Sequence, residues 1–284
     1  MVAAARDILA EIQPATVRAV CYKLFTLDLI GKMTKANTDK VSRALVWARE
    51  TNQIPWEWIV DETRDVEQTP AWSDPQSLIS AAVSQYRKDY WRHQPLHVEV
   101  FSEKGTVRGT LKPVLDEFGV AFRVLHGYGS ATAIKAIAEQ SAASEKPFIA
   151  LYVGDWDCSG LHMSEIDLPQ RIAMYGGAVR VIRLALSEHD VEFGDLPSFD
   201  AETKKLDPRY RWFVGKYGPT CWELDALSPA LMRERVKDAI TTLLDLESWN
   251  AMVKVEAAER ESMSDVLGQW SKLMQASNCL GIGL

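Results

Sequence analysis

Between residues 96 and 186 short apolar runs alternate with amphipathic stretches, and this alternation limits the fold more than any other feature of the chain. His97 to Phe101, Val120 to Leu125, Phe148 to Val153 and Val179 to Leu186 read as strands. Thr106 to Glu117, Ala131 to about Ser141, and Ser159 to about Tyr175 read as helices, the last carrying Pro169, where a helix kinks or breaks. A β-α-β-α-β-α-β order implies a mostly parallel sheet with helices on both faces.

In such a sheet, ligands bind beyond the carboxyl ends of the strands. The run 148–153 ends at Gly154, and Asp155, Asp157, Ser159 and Gly160 follow. Glu103 and Lys104 stand just past the run 97–101 in the same way. Alternation along an extended segment puts Asp155 and Asp157 on one side. Two carboxylates held that close raise each other's proton affinity or call for a divalent cation, and magnesium suits a few carboxylates working on phosphate. Two readings stand side by side. Asp-x-Asp after a strand is a turn that N-caps the next helix. Alternatively, with Glu103 and Lys104 on the same rim, it is part of a magnesium and phosphate site.

The N-terminal part has a different pattern. Residues 4–12 fit a short helix closed by Pro14. Thr16 can N-cap a second helix, with Val17, Val20, Cys21, Leu24 and Leu27 at helical spacing and Gly31 as its end. Thr38 or Asp39 caps a third helix that buries Val41, Leu45, Val46 and Ala48, and residues 54–60 alternate like a strand. Three helices and a strand are the order of a winged helix-turn-helix, whose third helix commonly enters the DNA major groove. Tyr22 lies four residues after Arg18, on the same helix face. The pair reads either as a half-buried tyrosine beside a solvated arginine or as a phosphoryl-transfer nucleophile with a charge stabiliser.

Charge is unevenly spread. The chain carries −7 overall, yet from Arg18 to Arg49 seven bases (Arg18, Lys23, Lys32, Lys35, Lys40, Arg43, Arg49) face only Asp28 and Asp39. A basic window in an acidic protein is either a solvated helix face or a nucleic-acid contact. At 284 residues, with 47% hydrophobic and 25% charged residues, the chain reads as a globular protein of one or two domains. No apolar run approaches the ~20 residues of a membrane span, and the N-terminus resembles no secretory signal. The four cysteines, Cys21, Cys158, Cys221 and Cys279, form no Cys-x-x-Cys pair or zinc spacing. Reduced thiols and a cytoplasmic location are expected.

Residues 65–75 read as a linker, and 77–92 as a helix whose late aromatics (Tyr86, Tyr90, Trp91) bridge two domains. Residues 193–218 read as an irregular insertion and 220–227 as a short strand and turn. A long helix begins at Ser228 and Pro229, and 247–276 is helical, suited to packing or dimerisation. The expected domains are 1–64 (helix-turn-helix), 65–95 (linker and bridging helix) and 96–284 (α/β with C-terminal helices). The chain has no Gly-x-x-x-x-Gly-Lys-Ser/Thr loop and no His-Glu-x-x-His.

Glu103-Lys104, Gly127-Tyr128 and Asp155-x-Asp157-x-Ser159-Gly160 together resemble the toprim domain of topoisomerases, primases and some nucleases. The segments Val153 to Gly160, Trp222 to Leu227 and Ile54 to Ile59 are similar to the topoisomerase VI A subunit and the meiotic double-strand-break transesterases. They are most similar to the small free-standing A-subunit-like proteins of bacterial mobile elements and phages. Arg18-Ala19-Val20-Cys21-Tyr22 resembles the Arg-x-x-Tyr-Tyr nucleophile motif of that family, with Cys21 in place of its first tyrosine.

The resemblance covers nearly the whole chain and implies an N-terminal winged helix-turn-helix followed by a toprim, Rossmann-like domain. It implies Tyr22 as nucleophile on a DNA phosphodiester, retaining the 5′ end, with Arg18 as charge stabiliser. Glu103, Asp155 and Asp157 become magnesium ligands acting on double-stranded DNA, for which the basic window supplies Lys32, Lys35, Lys40 and Arg43, and the acid rim Lys104, as candidate contacts. It implies a homodimer in which the tyrosine of one subunit meets the toprim of the other, giving double-strand breaks. Nothing in the chain resembles an ATPase partner, so strand passage calls for another protein, whereas breakage and ATP-independent relaxation do not. Two other readings keep part of this: a toprim nuclease using metal-activated water, and a non-catalytic DNA-binding protein.

Overall fold

The computed structural model describes residues 1–60, 69, 71–125 and 130–279. Most of the expected linker between 65 and 70, and the expected turn Gly127-Tyr128-Gly129, lie outside the described residues. Two compact units are present: Met1–Thr63 with Leu96–Leu243, and Arg64–Pro95 with Leu244–Leu284. The C-terminal helix, expected with the α/β domain, therefore groups with 64–95 instead.

The first unit is α/β. Its main sheet has four parallel strands, β3 (His97–Ser102), β4 (Ala121–Val124), β5 (Phe148–Val153) and β6 (Val179–Ala185), in the order β4-β3-β5-β6. Every residue of β5 is buried, as a parallel strand with a neighbour on each side requires. Connections from β3 run one way to β4 and from β5 the other way to β6, so the topological switch point falls between β3 and β5. α5 (Val107–Phe118), α6 (Ala131–Ala143) and α8 (Leu168–Met174) accompany the sheet. α6 and α8 bury Ile134, Ile137, Leu168 and Ile172 against Phe101, Phe148 and Tyr152. Pro169 does not break this region. A short α7 (Cys158–His162) passes through one π-type turn (Met163–Asp167) into α8, with the proline in its first turn.

The N-terminal helices are α1 (Val2–Ile12), α2 (Val17–Thr26) and α3 (Lys35–Glu50). They share a core of Leu9, Ile12, Val20, Leu24, Val41 and Leu45. Thr16 caps α2 by accepting from Ala19 N–H at 3.0 Å, at the residue expected. α3 starts four residues early, capped by Thr34 instead of Thr38 or Asp39. The strand expected at 54–60 is only Ile59–Val60 (β2), paired parallel with Ala15–Thr16 (β1), and Trp56–Trp58 forms a 3-10 turn. The stretch 193–218 is also more ordered than an insertion. After α9 (Glu188–Phe193), β7 (Ser198–Asp200) pairs antiparallel with β8 (Thr220–Trp222), and α10 (Tyr210–Tyr217) lies between them. α11 (Pro229–Leu243) closes the unit.

In the second unit α4 runs Pro75–Gln85, not to residue 92, and residues 90–93 form a 3-10 turn. The late aromatics serve α12 (Leu246–Cys279): Tyr86 donates to Glu259 at 2.5 Å, and Tyr90 and Trp91 pack edge-on against Trp249. No described helix is long and apolar enough to cross a membrane.

One buried carboxylate ties β3 to β4. Glu99 accepts from Arg123 Nε at 2.8 Å, Arg123 Nη2 at 3.0 Å and Gln140 Nε2 at 3.0 Å, with His97 Nε2 at 3.0 Å. Burial alone would lift its pKa, but the bonds from His97, Arg123 and Gln140 outweigh it and hold the group down to about 2. A depressed carboxylate stabilises the fold above its unfolded pKa and loses that contribution as pH falls through the folded value. Glu99→Gln is therefore expected to cost roughly 3 kcal/mol at neutral pH and to flatten the stability loss between pH 4.5 and about 2, read by urea unfolding across that range.

Candidate active site

The loop after β5 is built by close approaches. A Cβ on Gly154 would meet the Tyr152 ring at 2.7 Å, and one on Gly160 would meet the Asp155 carbonyl oxygen at 2.3 Å, so only glycine fits either position. Asp157 does N-cap α7: its Oδ1 accepts from Ser159 N–H at 2.9 Å and Gly160 N–H at 2.8 Å. That leaves Oδ2, which takes the ammonium of Lys204. Asp155 Oδ1 accepts from Leu224 N–H at 2.7 Å and from Lys104 Nζ at 2.8 Å. Lys104 Nζ also reaches Asp225 Oδ2 at 3.0 Å. Burial works against that ammonium, yet Asp225 and Asp155 hold its pKa above the ordinary lysine range.

Glu103 is the exception. Among the described residues no cation or donor pairs with it. Burial first, then the charges of Asp155 and Asp157, push its carboxyl up to about 7, with Lys104 and Arg183 only partly opposing. The three acids singled out from the sequence are thus electrostatically coupled at the mouth of the β3/β5 switch point. Behind them Arg183, on β6, donates to the carbonyls of Gly154 (3.1 Å), Asp155 (3.1 Å) and Leu186 (3.0 Å) and to Ser164 Oγ (3.2 Å). Its guanidinium lies 5.1 Å from the centre of the Tyr152 ring.

The N-terminal helices meet this rim within the same unit. Arg233 of α11 donates to the carbonyls of Ile12, Gln13 and Pro14 at 2.9–3.1 Å. Thr16 Oγ1 donates to Asp225 Oδ1 at 3.2 Å. Arg18 Nε donates to Glu223 Oε2 at 2.6 Å and lies 3.8 Å from Asp225 Oδ2. Tyr22 is 7% exposed, its ring 5.9 Å from the Arg18 guanidinium carbon. Burial, then the charge of Glu223, raises its phenol above the ordinary range against the pull of Arg18. Burial pushes the neighbouring Cys21 thiol up to about 11. A cavity of about 460 Å3 opens among Thr16, Arg18, Lys104, Asp155, Glu223 and Asp225.

Lys32, Lys35, Lys40 and Arg43 are exposed, and among the described residues none has an ion-pair partner. They stand apart from Lys104, which is inside the acid site. Arg49, from the same basic window, is buried and lies 4.8 Å from the Trp56 ring centre. Four participants escaped the sequence reading. Glu223 and Asp225 sit in the Trp222 to Leu227 segment that carried the resemblance without a role. Arg183 is one of two arginines in an otherwise apolar strand, and the buried-side charge is a usable signal. Lys204 gives none.

No group of three or more His, Cys, Asp or Glu side chains among the described residues has the arrangement of a metal cage. The donor chemistry nonetheless suits a hard cation, being carboxylate oxygens only, and lysine ammoniums occupy Asp155 and Asp157 where a cation's charge would serve. Set beside known proteins, the chain matches no family model, no curated protein and no solved structure.

Replacing Arg183 by Met leaves loop carbonyls without donors, and a loss of roughly 2–4 kcal/mol is expected. Urea unfolding of the variant checks it; unchanged stability would remove Arg183 from its role in holding the Asp155 loop.

Proposed function

We propose that the chain is a magnesium-dependent DNA-cleaving transesterase of the topoisomerase VI A-subunit type, its N-terminal helices acting as a winged helix-turn-helix and its parallel sheet as a toprim. The observation that carries this reading is one line of contacts inside a single compact unit. Arg18 lies 5.9 Å from the Tyr22 ring, donates to Glu223 and approaches Asp225, and Asp225 shares Lys104 with Asp155. Arg18, which lies against the candidate nucleophile, and Asp155, one of the acids at the switch point, thus border one cavity. Tyr22 attacks a backbone phosphorus and keeps the 5′ phosphate. Arg18 stabilises charge on the phosphoryl oxygens. Glu103, Asp155 and Asp157 would hold magnesium, which when bound would supply a Lewis acid for those oxygens. Lys32, Lys35, Lys40 and Arg43 contact the DNA backbone, and Lys104 the phosphate near the site. An ATPase partner for strand passage and a homodimer belong to the same proposal, with Tyr22 and the acids of each site supplied by one chain rather than across the dimer as the resemblance implies.

The burial of Tyr22 favours a second reading, in which activated water cleaves the DNA and the tyrosine is structural. Supercoiled plasmid incubated with protein and magnesium, quenched with detergent and split for protease digestion separates the two. Broken DNA that enters a gel only after protease, and disappears with Tyr22→Phe, is the expected result; Arg18→Ala should slow it by roughly 10²–10³-fold. Breakage indifferent to protease supports the nuclease, and binding with no breakage leaves a DNA-binding protein.

Lys40→Ala with Arg43→Ala is expected to lower the slope of log affinity against log salt by about 2, measured by fluorescence anisotropy on a labelled duplex. An unchanged slope would take that helix off the DNA.

A further inference from the structure

We infer that Leu206 is a wedge that enters a base step of duplex DNA beside the acid site. This rests on the DNA-cleaving reading and adds to it a residue that deforms the substrate. A singly exposed leucine is ordinary; this one is 100% exposed and yet rigidly held. Asp207 N–H donates to the Lys204 carbonyl at 2.8 Å, closing a turn whose central residues are Lys205 and Leu206. Lys205 has φ −56° and ψ −25°, as a type I turn requires. The far side of the turn is clamped as well: the Asp207 carboxylate accepts from Arg209 N–H at 2.9 Å, Nε at 2.5 Å and Nη2 at 2.6 Å. An apolar side chain is thus kept in water at the corner of a fixed turn, a place that polar residues usually take.

Both ends of the turn are tied to the acids. On one side Lys204 gives its ammonium to Asp157. On the other the chain runs into α10, whose Tyr217 ring packs edge-on at 5.4 Å from that of Trp156, the residue between Asp155 and Asp157. Tyr217 Oη donates to Glu165 Oε2 at 2.5 Å, and the buried Phe213 anchors the same helix. Leu206 therefore stands at a fixed offset from the strand ends where the proposed phosphate chemistry occurs. Its neighbours suit a nucleic acid. Arg211 is exposed, with no ion-pair partner among the described residues. Lys205 pairs with Glu202 at 3.1 Å, both exposed, a contact that a phosphate can replace at little cost. A protein partner calls for a broad apolar patch, whereas here one leucine, with the exposed Pro208, stands beside Lys205 and Arg211. A single aliphatic side chain flanked by cations matches a base step. It slips between two bases while the cations take phosphates on either side, and the duplex kinks.

Two short duplexes with a fluorophore at each end, one fully matched and one carrying a central mismatch, test this in EDTA so that the strands stay intact. A mismatched step is already weakly stacked and admits a wedge more easily. Wild-type protein is expected to bind the mismatched duplex about tenfold more tightly than the matched one, and energy transfer between its ends should rise as the duplex kinks. Leu206→Ala should bind both duplexes alike with no rise in transfer, and Leu206→Met, long and apolar, should keep both effects. Because the side chain is fully exposed, the urea midpoint should not move in either variant. A mismatch preference and a kink that survive in Leu206→Ala, or a wild-type protein that binds both duplexes alike without bending them, would overturn the wedge and leave the cleavage reading standing. A Leu206→Ala protein that changes oligomeric state in sedimentation but not its DNA binding would overturn it in favour of a contact between copies. No binding to any duplex, with or without magnesium, would overturn both.

Discussion

One half-buried ammonium, that of Lys104, decides what the rest of the site can be. It lies between Asp155 and Asp225 at 2.8 and 3.0 Å. Through it the β3 and β5 loops, and the segment after β8 that Thr16 and Arg18 contact, become one charged network. Ionised carboxylates cannot be buried together without compensation, and two glutamates on the same strand path show the scale. Glu99, bonded by Arg123, His97 and Gln140, is held down to about 2. Glu103, four residues on and unpartnered among the described residues, is pushed up to about 7. The residue type is the same; the presence or absence of a neighbouring donor sets the sign.

The main sheet brings the acids together, and the small β7/β8 pair keeps them there. Lys204, at the end of the turn after β7, takes Asp157, and Leu224 and Asp225, just after β8, take Asp155 and Lys104. Two ends of one accessory sheet thus hold the two aspartates from opposite sides. The glycines of the β5 loop allow this because the backbone there passes within contact distance of the Tyr152 ring and the Asp155 carbonyl.

The alternation from 96 to 186 was legible because each strand is a short apolar run and each helix shows one buried face. The acids were legible because they stand just past those runs, and Thr16 because a cap precedes an apolar-periodic segment. The start of α3 was not: Lys35, Ala36 and Asn37 have no apolar period, and only the Thr34 side chain fixes it. Residues 54–60 alternate like a strand, but the segment bends at Pro55 and Trp56 lies against Arg49. The helix expected to 92 stops at Gln85, where Tyr86 turns to Glu259 and Lys88 N–H to Glu256. Lys204 and Glu223 find their partners 47 and 205 residues away, and no local pattern encodes such a contact.

The charges gathered in this network bear on what the proposed function would require. Glu103, Asp155, Asp157, Glu223 and Asp225 face Lys104, Lys204, Arg18 and Arg183, five carboxylates against four cations. The surplus falls on Glu103, the group whose proton affinity is raised. In the proposed reaction a phosphodiester would bring one more negative charge to this network, repelled by whatever Glu103 carries. One divalent cation arriving with it would restore neutrality with Glu103 ionised. A proton on Glu103 relieves only half of the excess. Lys32, Lys35, Lys40 and Arg43, on and beside α3 and without an ion-pair partner among the described residues, keep their charge apart from the acids. In the proposed function, attraction of a nucleic-acid backbone at the helix and neutralisation at the strand ends would then be separate tasks, given to separate residues of one compact unit.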